Sequence, residues 1–166
     1  IYRYFATKAD LVLETALLFW SEAMAQVDSQ AHMELDGDIC GADCILSILQ
    51  GYANLYFTHR QMLIFVHEAE AYLNRSGKAL LVENKPPAPF EQSAGPLSSA
   101  IHKGIADGSV RTDIDLPSLY YNTYDALLGL IQKLAIGGRN NTADDEYASI
   151  RLEQFCTMME GFYRKR

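Results

Sequence analysis

The chain has 166 residues, 14 Lys and Arg against 21 Asp and Glu for a formal charge of −7, and 49% apolar residues. That mixture is too hydrophobic for a disordered chain, and its greasiest windows carry Glu14, Glu22 or Lys133, so none offers the ~18 uninterrupted apolar residues of a membrane helix. Three cysteines, Cys40, Cys44 and Cys156, with no secretory leader, argue against a disulfide framework and for a reducing cytoplasm.

Charge is uneven along the chain. Between Lys8 and Arg60 stand eight acids and no Lys or Arg, a surface that repels nucleic acid. Cations gather at the two ends, Arg3 and Lys8 first and Arg164, Lys165 and Arg166 last, the latter suited to the negative end of a terminal helix. Apolar residues recur at three- and four-residue steps nearly throughout, and no segment alternates β-branched residues. The sequence therefore predicts an all-α protein, a helical bundle in one domain.

The opening at Ile1 falls inside a helical pattern, so the sequence reads as a piece whose start lies upstream. Thr7, with Asp10 three residues on, caps a first helix, whose stripe Val12, Ala16, Phe19, Ala23, Val27 ends near Gln30. An acidic loop around Gly37 and Gly41 leads to a second helix with Ile45, Leu49, Tyr52 and Tyr56 on one face. A third runs from Arg60 to Leu73 and is broken by Asn74 to Gly77. Pro86, Pro87 and Pro89 fit only a first turn, so a fourth helix begins at or just after them and runs to Gly108 with the stripe Leu97, Ile101, Ile105. Pro117 opens a fifth, reaching Ile136. Thr142 and Asp145 form a second capping box for a last helix carrying Ala148, Leu152, Phe155, Met159 and Phe162 in heptad-like steps.

Motifs for catalysis are missing. None of His32, His59, His67 or His102 has Glu three positions earlier, as a di-metal bundle site requires. Cys40 and Cys44 have no second ligand pair nearby, and no GxGxxG, GK[ST] or GxSxG string occurs. The expectation is a protein without metal or cofactor, and not an enzyme.

The informative string is Tyr2-Arg3-Tyr4-Phe5-Ala6-Thr7-Lys8 followed by Leu11. It resembles the end of the DNA-binding domain of TetR-family transcriptional regulators, usually Tyr, any, His or Tyr, Phe, any, Ser or Thr, Lys. Gly104-Ile105-Ala106-Asp107-Gly108-Ser109-Val110-Arg111-Thr112-Asp113-Ile114-Asp115, ahead of a long helix, is similar to the turn before that family's dimerising helices. The resemblance covers the whole chain, except that the family's first two helices and most of its recognition helix would lie upstream of Ile1. It implies that residues 1–8 are the remnant of a helix-turn-helix domain and 9–166 an effector-binding and dimerisation domain. Tyr2, Tyr4 and Lys8 would then contact the phosphates of a palindromic duplex. The chemistry suits that role: a helix N-terminus with free N–H groups next to a lysine attracts phosphate, and tyrosine hydroxyls donate to a duplex backbone.

The remaining helices would hold a pocket for a small lipophilic or aromatic effector, lined by apolar and aromatic groups with few polar anchors. Tyr52, Tyr56, Phe65, Tyr72, Tyr120, Tyr121 and Tyr124 fit the lining, with Ile101 and Ile105 between them. His67, Glu68, His102 and Asp125 are candidate anchors, the two acids favouring a cationic effector. The helix from Pro117 presents a bulky stripe and a small-residue face of Asn122, Ala126, Gly129 and Lys133. With the Phe155, Met159, Phe162 seam, that face resembles half of an intersubunit four-helix bundle. The sequence thus reads as a homodimeric, ligand-responsive repressor, the alternative being a helical small-molecule-binding protein without a DNA role.

Overall fold

Thr7 opens the first helix reciprocally. Its hydroxyl accepts from the Asp10 N–H at 3.2 Å, while the Asp10 carboxylate accepts from the Thr7 N–H at 2.8 Å, two free donors of the first turn satisfied at once. From this cap α1 runs Lys8–Leu35. It passes the expected end near Gln30 because the Lys103 ammonium donates to the carbonyls of Leu35 and Gly37, both at 2.9 Å, and so caps the helix from a distant element. The computed structural model describes residues 5–78, 95–138 and 142–166, apart from the side chains of residues 24, 30 and 32–34. Tyr2 and Tyr4 lie outside the described residues, as do Pro86, Pro87 and Pro89.

Five further helices follow: α2 Gly41–Thr58, α3 Arg60–Arg75, α4 Pro96–Asp107, α5 Leu116–Gly137 and α6 Thr142–Tyr163. No strand is present among the described residues, and the all-α expectation holds. The punctuation follows local chemistry. Asp115 caps α5 by accepting from the Ser118 N–H at 3.1 Å, with proline in the first turn. Gly108 ends α4 at φ 78°, the left-handed conformation glycine adopts without Cβ strain.

Helix α2 is the centre of the bundle and packs against each of the other five. Its Ile45, Leu49, Tyr52 and Tyr56 are all buried, as their four- and three-residue spacing predicts. Its N-cap, Cys40, makes no side-chain cap; the turn after α4 supplies the missing acceptors. Asp107 accepts from the Gly41 N–H at 2.7 Å and the Ser109 hydroxyl from the Ala42 N–H at 3.0 Å. The close approach is possible because α2 and α4 cross at Gly41 and Gly104, where a Cβ on Gly41 would sit inside the backbone of α4. The same turn pairs with the chain after α6: the Arg111 N–H donates to the Tyr163 carbonyl at 2.9 Å and the Lys165 N–H to the Ser109 carbonyl at 2.8 Å.

Two expectations are corrected here. Asp145 does not close a capping box with Thr142; its Oδ1 accepts from Arg60 and from the Tyr56 hydroxyl, both at 3.1 Å. The seam of α6 also splits. Ala148, Leu152, Cys156, Met159 and Tyr163 face the core, whereas Phe155 is half-buried and Phe162 is exposed.

Candidate functional site

The interior joining α2 and α5 is built from tyrosines. Tyr52 and Tyr124 hydrogen-bond through their hydroxyls at 2.9 Å with ring centroids 5.3 Å apart edge to face, and Tyr120 stacks edge-on against Tyr124 at 5.1 Å. Edge-to-face pairs of this kind add to the burial of the rings. Two hydroxyls sharing one hydrogen bond use one proton and leave one to donate. Burial pushes the Tyr52 phenol up to about 12 and raises Tyr124 further, and the negative charge of Asp28 on α1 acts on both in the same direction. Both phenols therefore stay neutral donors at any physiological pH. Asp28 is half-buried on α1. Its place one residue after the buried Val27, inside an acidic run, gave it no distinguishing signal in sequence.

The other expected lining residues divide. Ile101 is fully buried, Tyr56 is buried, and Phe65, Tyr72 and Tyr121 are half-buried, packed on the core. Ile105, His102, Glu68 and Asp125 are exposed, and His67 is exposed as well. The reason is helical geometry. On α4 the inward place at that turn belongs to Gly104, which meets α2 and Val110, so Ile105 is rotated outward. On α3 and α5 the inward places are taken by Val66 and Ala69, and by Thr123 and Leu127. The carboxylates expected to anchor a cation are therefore on the outside.

Beyond Tyr56 lies an ionic tie that the sequence did not reveal. The Arg60 guanidinium lies over the Tyr56 ring, 5.0 Å to its centroid, and donates to Asp145. Its Nε and Nη2 are buried without a partner among the described residues, and a Cβ on Gly138 would collide with Nη2. This packing joins the start of α3 to the start of α6 and lays the guanidinium against Gly138, where α5 ends. The opposite end of α6 is tied in a similar way: Tyr163 is fully buried and its hydroxyl bonds Thr123 at 2.8 Å.

At the start of α1, Lys8 is exposed and its ammonium sits 5.6 Å from the centroid of the Tyr72 ring. Tyr72, expected in an effector pocket, belongs to this end of the molecule. Lys78, just past α3, pairs with Asp10 of the capping box, and the two hydrogen bonds from Lys78 and Thr7 hold the Asp10 carboxyl below the usual carboxylate range.

The outer face of α5 and α6 carries the expected interface residues. Ala126, Gly129 and Lys133 are exposed and, with Phe155, line a groove of about 460 Å³ that also takes in Leu130 and Met158. Met159 is corrected: 7% exposed, it is core of its own chain. Met158, one residue earlier and 52% exposed, takes the outward place. A second groove, of about 770 Å³, continues past Met158 and Phe162 to a rim of Arg111, Lys165 and Arg166.

Among the described residues no group of three or more His, Cys, Asp and Glu is placed to hold a metal ion, and no helix is long and apolar enough to cross a membrane. Compared with models of protein families, with curated proteins and with solved structures, the chain matches none.

Proposed function

We propose that the chain is the effector-binding and dimerising part of a TetR-like transcriptional regulator, a repressor released by a small lipophilic or aromatic molecule. The observation that carries the reading is α1. One continuous helix of 28 residues holds Lys8 exposed on a capped N-terminal turn and, further along, carries the half-buried Asp28, whose charge raises both phenols of the tyrosine pair. Twenty residues separate the two, about 30 Å at 1.5 Å per residue. A ligand that displaces Tyr52 and Tyr124 against Asp28 would tilt this rod and move whatever its first turn touches, which is how one binding event biases a two-state equilibrium. The positive end of the helix dipole with an exposed lysine beside it suits a DNA phosphate.

The neutral phenols and Asp28 favour an effector with an apolar body and a hydrogen-bond acceptor or a positive charge. The eight acids before Arg60 favour a second reading, a helical small-molecule-binding protein with no DNA role. Selection of random duplexes on the product of the whole gene separates the two. The regulator should recover a palindromic site, and Lys8→Ala should weaken binding across sequences and lower the salt slope by about one, since one phosphate contact is lost. Failure to enrich any duplex would favour the second reading, and an unchanged slope would remove Lys8 from the DNA contact.

A further inference from the structure

The turn after α4 and the end of α6 are laced together as two short antiparallel segments. Besides the two backbone hydrogen bonds from Arg111 and Lys165, Val110 pairs with Arg164. This pairing fixes the walls of the larger groove, whose volume of about 770 Å³ falls in the range of small-molecule sites. Four of its ten lining residues are cations, Arg111, Arg164, Lys165 and Arg166, in a chain that has only 14 Lys and Arg in 166 residues and a charge of −7. Cations near the end of a helix offset its dipole, which accounts for the last three; Arg111 comes from a different element. Arg111 gives Nε and Nη2 to the Asp113 carboxylate, both at 2.7 Å, and Arg164 gives Nε to Glu160 and Nη2 to Asp43. A guanidinium carries five N–H donors, so three remain on each, and Lys165 and Arg166 make no ion pair among the described residues. The apolar side of the groove is Met158 and Phe162, each 52% exposed. Between them a Cβ on Gly161 would meet nothing within 4 Å, so packing does not demand glycine there as it does at Gly41, and the floor is open.

We infer that this groove binds an amphipathic organic monoanion, a carboxylate on an apolar chain, with the head among Arg111, Lys165 and Arg166 and the chain along Met158, Gly161 and Phe162. Apolar walls with a few charged groups at one end are what such a ligand requires, and N–H donors on cations make the stronger hydrogen bonds to a carboxylate. The carboxylates of Asp113, Asp43 and Glu160 offset three of the four cations. The surplus of one positive charge suits a monoanion better than a phosphate monoester, which carries up to two negative charges. At about 100° per residue, Thr157 and Gly161 lie about 160° and 120° around α6 from Phe155, so the floor of the groove opens away from the seam expected between protomers. The tyrosine interior is a separate region, and the inference stands independently of the proposed function.

Titration calorimetry of the 166-residue chain with monomeric decanoate tests it, with 1-decanol, inorganic phosphate and vesicles of anionic phosphatidylglycerol as the other probes. Decanoate should bind once per chain, and decanol and phosphate at least about tenfold more weakly, since each lacks one half of the recognition. Lys165→Glu/Arg166→Glu should weaken decanoate about tenfold at low salt and less at high salt, because exposed charges act through screened attraction. Gly161→Leu, which fills the floor and favours the helix, should weaken it about tenfold or more at unchanged helicity by circular dichroism. Tyr124→Phe should leave decanoate affinity within about twofold. Equal affinity for decanoate and decanol would overturn anion recognition, and no decanoate binding would overturn the site. Loss of affinity in Tyr124→Phe but not in Gly161→Leu would place the ligand in the tyrosine interior and overturn the inference. Binding to the vesicles without binding of free decanoate would make the cations a membrane-surface patch and overturn it as well. Selection of duplexes by the whole gene product reads the proposed function separately, so either reading can fail alone.

Discussion

The tyrosine interior and the outer face of α5 and α6 are made of similar side chains and differ in what those side chains touch. Tyr52, Tyr120, Tyr124 and Tyr163 bury their rings against one another or the core, and the hydroxyls of Tyr52, Tyr124 and Tyr163 are hydrogen-bonded. Tyr147, Ile150, Met158 and Phe162 present comparable apolar area to the outside. Neighbours in sequence fall on either side of the divide: Tyr163 is fully buried while Phe162 is 52% exposed, and Met159 is 7% exposed while Met158 is 52%. A step of one residue turns a helix by about 100°, so one position separates a residue that holds the monomer together from one that faces outward. Aromatic content alone therefore does not locate a pocket.

The sharpest way to break the comparison is to truncate the two neighbours. Tyr163→Ala should cost about 3–5 kcal/mol of monomer stability by urea unfolding, as for other large aromatic truncations in a core. Phe162→Ala should leave monomer stability within about 0.5 kcal/mol and act instead on the dimer, read by light scattering. If Phe162→Ala destabilised the monomer as much as Tyr163→Ala, the outer face would be core after all.

Next in size is the helix crossing that positions both regions. Gly41→Ala should destabilise by about 1–3 kcal/mol, because the added methyl meets the backbone of α4, which cannot rotate away as a side chain can. A neutral result in thermal unfolding would mean that α2 and α4 separate freely.

A smaller effect sharpens the interior. Tyr124→Phe keeps the ring and removes one hydroxyl, leaving Tyr52 without its partner, at a cost of about 1 kcal/mol. The same change should lower effector affinity while leaving operator affinity of the ligand-free protein nearly unchanged. Effector titration with no difference from the parent would make the tyrosine pair purely structural.

Titration gives the gentlest separation. Burial raises the Tyr52 and Tyr163 phenols from 10.0 to about 12 in the folded chain. Their folded values lie above the unfolded ones, so the stability they contribute is complete below pH 10 and is lost as pH climbs from 10 to 12. Asp43, held low first by Arg164, and Asp107, held low first by the Ser109 hydroxyl, work in the opposite sense. Their contribution is complete above the ordinary value of 3.8 and is lost as pH falls through it toward the lowered folded values. Circular dichroism across both limbs should show stability declining at each end. Tyr163→Phe should flatten only the alkaline limb and Asp107→Asn only the acid one.

Local rules made much of the helical plan legible from sequence. Thr7 with Asp10 satisfies free N–H groups within a few residues of itself, and Gly108 takes a positive φ that its own missing Cβ permits. The faces of α2 and α5 follow from apolar spacing alone. What sequence could not supply was anything settled between elements far apart in the chain. The acceptors that cap α2 come from Asp107 and Ser109, more than sixty residues later. The lysine that prolongs α1 comes from α4. The crossing at Gly104 turned Ile105 outward, and Arg60 drew Asp145 away from its expected cap. Helix periodicity fixes which residues share a face, because backbone geometry is local. Which face meets a neighbour, and which is left open as on α6, is decided by how six such surfaces share one limited interior.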